Sequence, residues 1–107
     1  FIGAASPVTA EVCAAAGVDW VLLDLEHGAG GEEQVRDVVP AAASYGVPTV
    51  VRAESTERIR AGRLLDLGVV GVMYPRVDTA AQAFIQSFIV TATTLNVGPI
   101  ITTPIIK

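Results

Sequence analysis

The chain has 107 residues, enough for one domain with a modest core, and 51% of them are hydrophobic against 17% charged. This balance excludes a disordered chain, and a net charge of −4 without a basic stripe argues against nucleic acid as a partner. No apolar run approaches the roughly 20 residues that a membrane span needs. The use of a single cysteine fits a reducing cytoplasm, so we expect a cytoplasmic protein. The only cysteine, Cys13, excludes an intramolecular disulfide and is expected to be a buried, inert thiol.

The first half of the sequence alternates short apolar runs with helical patterns. Residues 1–4 form a short apolar run, which we count as the first predicted strand. The start at phenylalanine rather than methionine suggests a fragment. Ser6 before Pro7 is a typical helix start, which predicts a helix to about Ala16. The continuous apolar run Trp20–Asp24 then predicts a strand buried on both faces.

A glycine-rich loop, residues 28–31, separates that strand from a second predicted helix. The helix runs from about Glu32 to Tyr45 and is acidic at its start, which suits the helix dipole. Pro40 predicts a kink or a break within it. The loop lacks both the Walker lysine and the dinucleotide-binding spacing, so we interpret it as a flexible loop rather than a phosphate site.

Two further strands, Pro48–Arg52 and Val70–Tyr74, flank a third predicted helix, Glu57–Leu67. Thr79 can cap a fourth helix that begins at the next residue. The apolar side chains of the third helix that we expect to face the core are Ile59, Leu64, Leu65 and Leu67.

Four successive strand–helix units predict right-handed crossovers and a parallel sheet. A complete (β/α)8 TIM barrel needs about 250 residues, so the chain would be an incomplete barrel of about four βα units. An open doubly wound sheet is the alternative, and the local pattern does not separate the two. The divergent tail, residues 84–107, is rich in isoleucine and threonine and receives no assignment.

Ligands of parallel α/β folds bind beyond the carboxyl ends of the strands. Asp24, Glu26 and His27 follow the second strand, and Gly28 next to them lets a substrate approach closely. A histidine moves protons at neutral pH, and a nearby carboxylate fixes its tautomer. The alternative is a solvated loop histidine beside acids that cap the next helix, and this local signal favours neither.

Arg52 closes the third strand, where its planar fork suits a carboxylate or an enolate oxygen. The alternative is an ion pair with Asp24 or Glu26. We favour ligand binding, because parallel strand ends would place Arg52 beside His27.

Two other charged residues are weaker candidates. Arg76 follows the fourth strand and could bind substrate or a neighbouring subunit, but a surface pair with Asp78 is as good an interpretation. Asp66 lies at the end of the third helix, away from any strand end, and its position indicates a structural role.

Four motifs in consistent order, residues 15–20, 24–28, 51–52 and 64–75, together resemble the HpcH/HpaI aldolase family. The resemblance covers residues 2–83, the N-terminal half of such a protein. It implies a (β/α)8 barrel and a metal-dependent, reversible cleavage of a 4-hydroxy-2-oxo acid to pyruvate and an aldehyde. It also implies a small 2-oxo acid as substrate and a homo-oligomer for the full-length protein.

The resemblance assigns roles to individual residues. It makes His27 the acid–base residue and Arg52 the group that holds the keto oxygen and stabilises the enolate. Its two supporting aspartates fall on Asp24 and Asp66, and Gly28 is expected to contact substrate.

The resemblance also implies a divalent metal, Mg²⁺ or Mn²⁺, held by a glutamate and an aspartate from later strands. Nothing after Asp78 is acidic, so we expect no metal ligand in this chain. Two alternatives remain open. One is an inactive half-barrel that self-associates through its open sheet edges. The other is an acyl-CoA lyase of the citrate-lyase β type, against which the Asp24–Gly28 motif argues.

Overall fold

A computed structural model describes residues 1–84, which alternate helices with parallel strands. The three strands among these residues pair in chain order, the first with the second and the second with the third, both in parallel. This confirms the predicted parallel βα units. The tail, predicted at residues 84–107, lies outside the described residues apart from residue 84. The elements are α1 (Pro7–Ala15), β1 (Val21–Asp24), α2 (Glu32–Ala43), β2 (Thr49–Arg52), α3 (Arg58–Asp66) and β3 (Gly71–Met73).

The first apolar run lies beside β1 but pairs with it at a single position. Ile2 forms one parallel bridge with Leu23. Its N–H donates to the Leu22 carbonyl oxygen at 2.7 Å, and its own carbonyl accepts from Asp24 at 3.1 Å. Ala5 then adopts a left-handed φ of 49°, which turns the chain away from the sheet.

The helices and strands end close to the predicted positions, with two differences. All four residues of β1 are buried, as predicted, but Trp20 lies outside the strand and is 52% exposed. The predicted break at Pro40 does not occur, because α2 continues through it to Ala43. The predicted cap at Thr79 is confirmed, since its Oγ1 accepts the N–H of Gln82 at 3.2 Å.

The core lies between the sheet and the helices, and α3 contributes less to it than the sequence indicated. Leu64 is fully buried, and Leu65 and Leu67 are half-buried against the core. Ile59 is 60% exposed, so its predicted core position is wrong. It lies five residues before Leu64, which at about 100° per residue places it on another face of the helix. Cys13 is also only half-buried, against the edge of the core.

Gly62 lies in the interior of α3, where a glycine costs helix stability. A methyl group at this position would meet no atom within 4 Å outside the helix's own backbone. We expect Gly62→Ala to raise the free energy of unfolding by about 0.5–1 kcal/mol, because alanine loses less backbone entropy in a helix. Urea unfolding would measure the change, and a decrease would contradict the open space around Gly62.

Within the described range, no helix is long and apolar enough to cross a membrane.

Candidate active site

The carboxyl ends of β1 and β2 meet at one edge of the sheet. Asp24 is the last residue of β1 and Arg52 the last of β2, and the parallel register pairs them directly. The N–H of Leu25 donates to the Arg52 carbonyl oxygen at 2.9 Å, which ties the loop after β1 to the end of β2. Strand pairing alone therefore brings together Asp24 and Arg52, which are 28 positions apart in the sequence.

Asp24 and Arg52 form a two-point ion pair. Arg52 Nε donates to Asp24 Oδ1 at 2.9 Å, and Arg52 Nη2 donates to Asp24 Oδ2. Asp24 Oδ1 also accepts the backbone N–H groups of Glu26 at 3.0 Å and His27 at 3.2 Å. The buried Asp24 carboxylate, 7% exposed, therefore holds both the guanidinium and the loop that carries His27.

The pair keeps both groups charged. The hydrogen bond from Arg52 lowers the pKa of Asp24 to about 2; burial opposes this, and the backbone N–H groups of His27 and Glu26 add to it. The same contact raises the pKa of Arg52. Asp24 is consequently ionised at neutral pH and positions its neighbours rather than exchanging protons.

His27 contacts the same guanidinium from the other side. Its Nδ1 lies 3.0 Å from Arg52 Nη2. Because a guanidinium only donates, Nδ1 accepts, and a neutral His27 ring carries its hydrogen on Nε2. That Nε2 lies 3.7 Å from Glu26 Oε1, and the His27 side chain is 70% exposed. The predicted convergence of His27 and Arg52 at one sheet edge is confirmed.

One end of the Arg52 guanidinium is left open. Asp24 and His27 occupy Nε and Nη2, whereas Nη1 has no hydrogen-bond partner within residues 1–84. The ring of Phe1 lies over the guanidinium, 5.3 Å from its carbon to the ring centroid. The two N–H groups on Nη1 are therefore unpaired within residues 1–84 and can donate to an oxygen of a small molecule.

Glu26 has a larger part in the cluster than sequence reasoning gave it. One carboxylate oxygen lies 3.4 Å from Arg52 Nε, and the other lies 3.5 Å from Arg76 Nε. The predicted surface pair between Arg76 and Asp78 is not formed; Arg76 reaches Glu26 instead. The sequence signal for these contacts was the position of Glu26 two residues after Asp24. The loop turns back there and brings the Glu26 side chain to the end of β1.

The structure does not bring Asp66 to this cluster. Asp66 is the exposed last residue of α3, on the side of the sheet where strands begin, since the nearby Val70 N–H donates to the carbonyl of Thr49 at 2.9 Å. Its supporting role stays a prediction.

Gly28 has a packing role that requires no ligand. A Cβ at this position would lie 2.0 Å from the Asp24 carbonyl oxygen and 3.0 Å from that of Gly3. The next residue, Ala29, donates its N–H to the Gly3 carbonyl at 2.8 Å. The glycine loop therefore packs on the N-terminal segment, and the predicted substrate contact of Gly28 stays a prediction.

The residues of this cluster do not suit a divalent cation. In the part of the chain that the structure describes, no group of three or more histidine, cysteine, aspartate or glutamate side chains is placed to hold a metal. Both oxygens of Asp24 are taken by Arg52, and Glu26 faces two guanidinium groups that would repel a cation.

Comparison with known proteins shows which family and which curated proteins the chain resembles. The profile of the HpcH/HpaI aldolase/citrate lyase family matches residues 1–94. The chain is 42% identical over 83 residues to the hydroxypyruvate/pyruvate aldolase of Cupriavidus necator, covering 78% of this chain and 31% of that protein. It is 35% identical over 83 residues to the 4-hydroxy-2-oxo-heptane-1,7-dioate aldolase of Salmonella dublin, covering 78% and 32%.

Solved structures show the same partial match. The HpcH/HpaI aldolase/citrate lyase family protein from Burkholderia cenocepacia J2315 is similar with a TM-score of 0.76 at 30% identity. The similar region covers 82% of this chain and 35% of that one. The chain thus spans about a third of the length of the curated relatives it matches, and its fold is part of a TIM barrel. The family description includes both aldolases and citrate lyases, so it does not separate these activities.

Proposed function

Because the chain belongs to the HpcH/HpaI aldolase/citrate lyase family, we propose that residues 1–84 supply the pyruvate-binding part of an aldolase site. The reaction is the reversible cleavage of a 4-hydroxy-2-oxo acid to pyruvate and an aldehyde. One observation carries the proposal: a guanidinium clamped by Asp24 touches His27 and has no hydrogen-bond partner at Nη1 within residues 1–84. For the whole protein we include the divalent cation expected from the family resemblance, with ligands outside residues 1–84.

Arg52 is the group that stabilises negative charge. When the bond between C3 and C4 breaks, its electron pair forms an enolate, and charge builds on the C2 oxygen. The Nη1 donors can bind that oxygen, and they need little reorganisation because Asp24 already fixes the guanidinium. A fixed donor favours the transition state more than one that must first be ordered.

His27 is the group that moves the proton. The C4 hydroxyl must lose a proton as its oxygen becomes the aldehyde carbonyl, and C3 of the enolate must gain one to give pyruvate. A small displacement of the exposed His27 ring from Arg52 Nη2 frees Nδ1 to accept a proton, directly or through a water, while the guanidinium stays bound to Asp24. The Nε2 hydrogen stays near Glu26, which keeps the ring in the required tautomer.

A chimaeric enzyme tests this proposal. Residues 1–83 of this chain would replace the matching residues of the Cupriavidus necator aldolase, and pyruvate release from a 4-hydroxy-2-oxo acid would be followed with added Mn²⁺. We expect activity that Arg52→Ala reduces by at least about 100-fold, since the main enolate donor is lost. Arg36→Ala is the control, because Arg36 is an exposed arginine on α2. Activity that survives Arg52→Ala would refute the role of Arg52.

A second candidate is a non-catalytic piece that works through self-association. Among residues 1–84, the outer edge of β3 has no partner strand, and an open edge favours pairing with another chain. Sedimentation equilibrium of the 107-residue chain tests this second candidate. A mass at or near 11.1 kDa contradicts self-association, whereas a stable dimer supports it.

A further inference from the structure

Arg76 is a second cationic residue at the same edge of the sheet. It follows β3, and its backbone has a left-handed φ of 51°. Such a conformation is unfavourable for a residue with a long side chain, and it persists where surrounding structure or function requires it. It carries the guanidinium toward the end of β1, where Nε lies 3.5 Å from Glu26 Oε1.

The donors of Arg76 are open to a ligand. Its side chain is 74% exposed, and its one ion pair within residues 1–84 is the long contact with Glu26. Because Arg76 is largely exposed and the contact is long, this pair is weak and readily exchanged. Arg60, by contrast, is held by both Glu32 and Glu54 and has less capacity for a new anion.

Arg52 and Arg76 lie on either side of one carboxylate. Glu26 contacts Arg52 Nε through one oxygen and Arg76 Nε through the other. Two guanidinium groups that contact opposite oxygens of one carboxylate suit a short molecule with an anionic or oxyanionic group at each end.

We propose that Arg76 binds the distal carboxylate of a dicarboxylic 2-oxo acid whose keto-acid end is held by Arg52. This rests on the proposed function, which places the pyruvate portion at Arg52. Arg76 is then the residue that favours substrates with a second negative group over neutral ones of the same length. The incoming carboxylate replaces Glu26 as the partner of Arg76, so that one ion pair is exchanged for another.

Ligand titrations of the 107-residue chain, followed by amide chemical shifts in NMR, test the inference. The ligands are pyruvate and 2-oxoadipate, and the variants are Arg76→Gln, Arg52→Gln and the surface control Arg36→Gln. We expect 2-oxoadipate to bind at least about fivefold more tightly than pyruvate, because a direct charge-assisted hydrogen bond to Arg76 replaces its longer 3.5 Å contact with Glu26. Arg76→Gln should remove this difference and leave the Kd of pyruvate within about twofold, since Arg76 does not touch the keto-acid end.

The outcomes separate the two proposals. If pyruvate binds through Arg52 but 2-oxoadipate binds no more tightly, or Arg76→Gln weakens both ligands equally, the role of Arg76 is overturned and the proposed function stands. If pyruvate does not bind, or binds unchanged after Arg52→Gln, the proposed function is overturned and the role of Arg76 with it. Arg36→Gln should leave both Kd values unchanged; an effect equal to that of Arg76→Gln would indicate general charge attraction and refute the specific contact.

Discussion

Replacement of Arg52 by methionine should lower the free energy of unfolding by about 3 kcal/mol at pH 7, because it leaves a buried carboxylate without its charged partner. Asp24 is 7% exposed, and among residues 1–84 the variant leaves it only the backbone N–H groups of Glu26 and His27 as donors. Methionine has nearly the length of the arginine stem, so little packing is lost. Urea unfolding followed by circular dichroism measures the change.

A double-mutant cycle isolates the pair. Asp24→Asn removes the charge and leaves Glu26 as the ionic partner of Arg52 within residues 1–84. The double variant Asp24→Asn with Arg52→Met should be less destabilised than the sum of the single variants. Arg36→Met, on the surface of α2, serves as the control for loss of one positive charge. If the two single effects simply add, the ion pair does not contribute to stability.

The same variant should change the response to acid. The pKa of Asp24 is lowered from 3.8 to about 2, so its contribution is fully present above pH 3.8 and is lost as pH falls toward 2. That contribution amounts to about 2 kcal/mol at neutral pH. The stability difference between the unsubstituted chain and Arg52→Met should therefore be largest above about pH 5 and smallest near pH 2. A difference that stays constant between these values would show that the Asp24 pKa is not lowered by Arg52.

Gly28→Ala should be the most damaging single-methyl substitution at the site, with a loss of at least about 3 kcal/mol in the free energy of unfolding. The added Cβ would lie 2.0 Å from the Asp24 carbonyl oxygen and 3.0 Å from the Gly3 carbonyl oxygen. Both are backbone atoms, so no side-chain rotation relieves the contact, and the loop must move away from β1. That movement would also carry His27 away from Arg52.

Gly3→Ala is the matched control, because a Cβ there meets no atom within 4 Å. Its expected effect is within about 0.5 kcal/mol. Thermal or urea unfolding gives the stability of both variants, and the NMR signals of the His27 ring report whether the site is disturbed. A Gly28→Ala variant as stable as Gly3→Ala would show that the loop does not pack on β1 as described.

The proximity of Asp24 and Arg52 was predictable from the sequence because parallel strands share a direction. Asp24 and Arg52 each follow a run of apolar residues, and the carboxyl ends of parallel neighbours lie at one edge. Their proximity therefore followed from two local patterns and one topological rule. The helical phase of α3 was harder to predict, and Ile59 was misplaced because apolar character alone does not define which face is buried.

By itself, the sequence determined the order of the βα units, the parallel sheet and the candidate residues at the strand ends, because these depend on local periodicity. Only the tertiary structure decided how those residues share their hydrogen bonds. Register and loop geometry set three results. Arg52 occupies His27 Nδ1, and Glu26 rather than Asp78 pairs with Arg76. Asp66 lies apart from the cluster at the end of α3. Such contacts between residues far apart in the chain leave no local signal in the sequence, because their side-chain atoms come together only when the strands pair.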